Sequence, residues 1–175
     1  MRDTENRYRG LPKRTAPMLF QIIGKFYRGA INHVEVIRER TVEAEHAFQE
    51  YKHTNDPQSV TEALTVLFWE FHFYVTCWLQ IELALYRLAE QEDSSSFQFI
   101  YEKYRSEIER HLHVRKAIDH TEEAVRTQLT WLQEQKVNSL PGQFWFDGVH
   151  FGVDEASLTS LKKLYKDVMA CKKTQ

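Results

Sequence analysis

The 26 residues from Ala63 to Leu88, ALTVLFWEFHFYVTCWLQIELALYRL, carry only three full charges, Glu70, Glu82 and Arg87, and contain no Gly or Pro. A helix that is apolar on nearly every side must be enclosed by other elements or by a partner subunit. This run, extended to residues 60–92, therefore predicts the central helix of an all-α protein. It is long enough to cross a membrane, but Glu70, His72, Gln80 and Glu82 fall inside it. A span needs about twenty residues with few or no charges, so no membrane segment is expected. On a helical wheel Thr61, Thr65, His72, Thr76, Gln80 and Arg87 share a stripe of roughly 80°, the expected wet face. Glu70 and Glu82 lie outside that stripe, among aromatic and aliphatic residues. A buried carboxylate is costly unless paired or protonated. The two acids are thus read either as ion-pair partners of a neighbouring helix, Arg115 or His111 on the third, or as functional carboxylates.

The remaining elements are predicted around this helix. Residues 1–16 hold Gly10, Pro12 and an excess of basic side chains, which suits a flexible basic arm. A first helix from Pro17 to about His53 carries a stripe at spacings of three and four, Phe20, Ile23, Tyr27, Ala30, Val34, Ile37, Thr41, Ala44, Phe48 and Tyr51. That rhythm implies shallow packing along another long helix. Ser59 or Thr61 is expected to cap the central helix. A third helix from Phe97 to Gln135 keeps the same rhythm, but three of its core-facing positions, His111, Arg115 and Glu122, are polar. Asp147-Gly148 between apolar runs predicts a hairpin over 143–153, with Phe144, Phe146, Val149 and Phe151 on one face. Asp154 then caps a last helix. The fold expected is an up-and-down four-helix bundle with long helices and a small β-hairpin before the last, forming one domain over 17–175.

Bulk numbers bound the function. At 175 residues and 42% hydrophobic, one full core is available. The net charge of −2 does not describe a strongly basic nucleic-acid binder, although a local basic patch remains open. Charge is uneven. Residues 1–40 hold nine Lys/Arg and four Asp/Glu, residues 41–100 two and ten, and the rest twelve and eleven. Two cysteines on apolar helical faces, Cys77 and Cys171, fit a reducing compartment. No apolar stretch follows the charged N-terminus as in a secretory leader, and the expected address is the cytoplasm.

Phosphate-loop and nucleophile-elbow motifs are absent. Glu43-x-x-His46 and Glu50-x-x-His53 have the spacing of carboxylate-bridged di-metal bundles, but those need such motifs on two helices. Both here lie on the first helix, so no metal and no other cofactor is expected. What remains is RSEIERHLHVRKAIDHTEE, Arg105 to Glu123. Within it Arg115 and His120 are separated by four residues. Other Arg/His pairs are similarly spaced, but Arg115 lies on the core-facing stripe, midway along a long helix.

An Arg, four to six residues, then His, on a long helix of a helical bundle, resembles the HEPN superfamily. The resemblance implies a homodimer whose two motifs meet in a cleft. It also implies metal-independent RNA binding or cleavage in a stress or defence system. Arg115 would neutralise the scissile phosphate and His120 would move a proton during attack by the 2′-hydroxyl. His111, Asp119, Glu122, Glu70 and Glu82 would support them. Lys116 stands where the family carries Asn, Asp or His. Five residues also turn about 140° on a continuous helix, so the pair shares a face only if the helix bends. The other reading is ordinary pairing, Arg115 with Asp119 and His120 with Glu123, in an inert bundle that works through protein partners. A homodimer is expected because the apolar central helix and the Phe-rich hairpin offer more apolar surface than one bundle covers.

Overall fold

A computed structural model describes residues 14–91 and 95–172. The expected basic arm lies outside them except for its last three residues. Among the described residues there are five helices and one two-stranded sheet, in the order α1 (Ala16–Thr54), α2 (Gln58–Ala89), α3 (Ser95–Ile118), α4 (Thr121–Glu134), β1 (Phe144–Phe146), β2 (Val149–Phe151) and α5 (Glu155–Lys172). The protein is all-α apart from the hairpin.

α1 starts one residue before Pro17, which is pre-set for a first helical turn. It ends where Asn55 turns left-handed (φ 58°) and donates its N–H to the Tyr51 carbonyl at 2.8 Å. Its 3–4 stripe faces inward, with Phe20, Ile23, Ala30, Val34, Ile37, Ala44 and Phe48 all buried. α1 folds back along α2. Gly29 lets Phe73 and Cys77 of α2 come close.

α2 is the centre of the molecule, packed against α1, α3 and α4. Its cap differs from the expected one. The helix begins at Gln58, so Ser59 and Thr61 both lie inside it, and Asp56 Oδ1 accepts the Gln58 N–H at 3.0 Å. Thr61 instead bonds back to the Pro57 carbonyl. The polar stripe is only half-buried edge. The most solvent-exposed large side chains on α2 are Trp69 (58%) and Phe73 (45%), one turn apart.

The predicted third helix is two helices. The chain leaves helical geometry at His120 (φ −111°, ψ 66°) and restarts at Thr121. No Gly or Pro marks the break. Thr121 Oγ1 bonds the last carbonyl of α3, Ile118, at 2.9 Å. Glu122 and Glu123 occupy the first turn of α4, where negative charge suits the N-terminal end of the helix dipole.

The hairpin has the predicted register, Phe144 opposite Phe151, Trp145 opposite His150 and Phe146 opposite Val149. Asp147 and Gly148 both have positive φ, the two-residue turn that matches strand twist. Phe144, Phe146 and Phe151 are buried against Phe68 and Phe71 of α2. Each such burial stabilises by about 1.5–3 kcal/mol. The Phe-rich face therefore covers this chain's own bundle and leaves no apolar sheet for a partner. Asp154 caps α5 as expected, accepting the Ser157 N–H at 2.8 Å. α5 rests on α3 and α1, with Tyr165 stacked on Tyr27 at 3.9 Å between centroids.

Candidate functional site

The break between α3 and α4 brings together chemistry from two helices. Asp119 is the first residue past α3. Its Oδ1 lies 3.3 Å from Arg115 Nη2, one turn earlier, and 3.2 Å from His72 Nε2 on α2. The ordinary i+4 pairing of Arg115 with Asp119 is thus present. An ionised carboxylate can only accept, so His72 Nε2 donates its hydrogen to Asp119. Arg115 is half-buried, and its Nε has no hydrogen-bond partner.

His120 follows Asp119 at the cap of α4 and is exposed. Among the described residues its ring makes no hydrogen bond or ion pair, including none with Glu123. His120 instead lines an open cleft of about 700 Å³ together with Thr65, Trp69, Asp119, Thr121, Glu122, Glu123 and Arg126. His120 thus shares the cleft with its chain neighbour Asp119, and among the described residues it makes no contact with Arg115 that would join the two motif residues directly. The cleft is electrically mixed. Asp119, Glu122 and Glu123 line it with Arg126, and the Arg115 guanidinium reaches it only through Asp119.

The other expected site residues are elsewhere. His111 is a core residue. Its Nδ1 donates to the Glu107 carbonyl at 2.8 Å, and its Nε2 accepts from Ser157 Oγ at 3.1 Å. The Ser157 Oγ in turn lies 3.0 Å from Tyr74 Oη, and Trp78 stacks on the imidazole at 4.0 Å. Burial pushes the His111 pKa down to about 3. Glu70 is paired across the α1–α2 seam with His33, 2.6 Å away at ion-pair distance but off hydrogen-bond alignment. Glu82, 1% exposed, accepts from Tyr101 Oη at 3.3 Å. Burial first, and then the Glu82 carboxylate, push Tyr101 up to about 12. The expected pairing of Glu70 or Glu82 with Arg115 or His111 is therefore replaced. Both acids found partners nearer their own helix position, and His111 found α5. Of the expected set, Asp119, His120 and Glu122 line one cleft and Arg115 is joined to it through Asp119, whereas His111, Glu70 and Glu82 lie elsewhere.

Three residues of this place were not singled out from the sequence: His72, Trp69 and Arg126. The polar stripe of α2 contained His72 but nothing tied it to Asp119, 47 residues away. Trp69 reads as core in any hydropathy pattern. Among the described residues no three His, Cys, Asp or Glu side chains converge to hold a metal ion. No described helix is long and apolar enough to cross a membrane. No protein-family model matches the chain, and neither a curated protein nor a solved structure matches it.

Proposed function

We propose that this protein is an HEPN-like RNA-binding protein and metal-independent endoribonuclease, acting in the cytoplasm within a stress or defence system. The observation that carries the reading is Asp119, which lines the cleft with the exposed His120 and ties to it Arg115 and His72 through its own carboxylate. Counting α3 and α4 as one bent helix, the chain reads as an up-and-down four-helix bundle. The bend falls inside the Arg115–His120 motif. In this reading the Arg115 guanidinium turns from Asp119 to the scissile phosphate, for which its planar fork is suited. His120 transfers a proton during 2′-hydroxyl attack. Trp69, exposed at the cleft, offers a face on which an unpaired base can stack. The buried thiol of Cys77 agrees with a reducing compartment. The test is RNA cleavage in EDTA by the wild type, Arg115→Ala and His120→Ala. Loss of cleavage in both variants is expected, and undiminished cleavage in both rejects the assignment.

A homodimer is the second part of the proposal, now supported by α2 alone. Trp69 and Phe73 form an aromatic ridge on an otherwise enclosed helix, the kind of patch that marks a protein contact. Sedimentation equilibrium should give a dimer for the wild type and a monomer for Trp69→Ser/Phe73→Ser. A monomeric wild type at every concentration rejects it. An inert bundle that works only through a protein partner is what remains if cleavage is absent and the ridge still captures a second chain.

A further inference from the structure

We infer that His72, held by Asp119, is a second proton-transferring residue, so that one chain carries the whole acid–base pair needed to cleave an RNA phosphodiester. This rests on the ribonuclease reading above and goes beyond the Arg/His motif, which supplies one histidine per chain. Both histidines stand at Asp119, His72 through a contact across from α2 and His120 as the next residue in the chain. His72 donates Nε2–H to Asp119 Oδ1, and a carboxylate in that position fixes the tautomer and stabilises the imidazolium that forms when the other nitrogen takes a proton. Its Nδ1 is therefore set up as a base. Among the described residues His120 has no such acceptor, and it lines the cleft, where its ring is open to a departing oxygen.

The step balances without a metal or co-reactant. His72 Nδ1 removes the 2′-hydroxyl proton, and O2′ attacks phosphorus. The P–O5′ bond breaks, and His120 gives its proton to the departing 5′-oxygen. The products are a 2′,3′-cyclic phosphate and a 5′-hydroxyl. The charged groups around the pair are Asp119 and Arg115 from the end of α3, and Glu122, Glu123 and Arg126 from α4.

The experiment is a pH–rate profile on a short single-stranded oligoribonucleotide in EDTA. The wild type is expected to give a bell. His72→Gln, whose amide can still donate to Asp119, is expected to keep the fold by circular dichroism. It should lose about 100-fold or more in kcat and the rise on the acid side. His120→Asn should lose the alkaline fall instead. Asp119→Asn, a positioning change, should lower kcat with little change in KM. Mixing or co-expressing His72→Gln and His120→Asn chains should restore nothing. The inference is overturned if His72→Gln retains the acid-side rise or near-normal kcat, or if the mixture regains activity, which would put the second histidine on a second chain. A wild type that cleaves nothing at any pH removes the ribonuclease reading itself, and the inference with it.

Discussion

At the residue scale the most constrained polar group is His111. It stands on the core-facing stripe of α3, and its satisfaction comes from far along the chain, from Ser157 on α5 and the ring of Trp78 on α2. Burial holds its folded pKa near 3, well below the roughly 6.5 of an unfolded histidine. The neutral form is the one that fits the fold. Its contribution to stability is therefore fully present above about pH 6.5 and is lost as pH falls from there towards 3, by up to about 1.4 kcal/mol per pH unit. Urea unfolding at pH 7, 6 and 5 should show a falling midpoint. A midpoint that does not move over that span contradicts the neutral, caged imidazole. Cys77 makes the parallel case for a thiol, since burial pushes it up to about 11. Native protein should therefore leave Cys77 unmodified by iodoacetamide at pH 8, and rapid labelling there would show that the α1–α2 seam opens. From sequence, His111 was legible as a polar residue on the core-facing stripe but its partners were not, because periodicity reports which face a residue takes and not what waits 46 residues later to pair with it.

At the element scale, what could be read depended on how local the signal was. The hairpin register followed from Asp147-Gly148, where two adjacent residues decide the turn. The inward stripe of α1 followed from a period repeated without a break from Phe20 to Phe48. The α3–α4 break did not, since the 3–4 rhythm runs straight through it and the cues are weak capping ones, Thr121 with Glu122 and Glu123. The cap of α2 was misplaced for a similar reason. Asp56 sits before Pro57, and a capping box at Ser59 looked better in sequence than the Asp56 bond that forms. The hairpin also carries a tight approach. A side chain at Gly152 would run into the Gly142 carbonyl oxygen, which is backbone and cannot swing aside. Gly152→Ala should cost about 1–3 kcal/mol, read as a drop in Tm, while Gly148, open on all sides, tolerates crowding but not its positive φ. An unchanged Tm for Gly152→Ala would mean that the strand ends shift freely.

At the scale of the whole molecule, an enclosed central helix was legible at once from Ala63–Leu88, and the all-α class with it. The number of helices was not, nor was the destination of the hairpin, which depends on Phe68 and Phe71 being free to receive it. Charge also acts at this scale. The candidate cleft sets Arg115 and Arg126 against three acids, so RNA held there alone should neutralise about two phosphates. The logarithm of its affinity should fall with the logarithm of salt at a slope of about −1.4. A slope several times steeper, measured by filter binding between 50 and 200 mM salt, would bring the basic first forty residues into the contact. The same junction has a kinetic side. α2 is wrapped by α1, α3, α4 and the hairpin, so the backbone amides from Leu64 to Leu85 can meet deuterium only when the entire molecule comes apart. The joint at Asp119–His120 is held by a few half-exposed side chains and should open on its own. The two halves of the candidate site thus run on different clocks, and a ligand that spans them should announce itself as slowed exchange at residues 119–124 while the rate along α2 stays as it was.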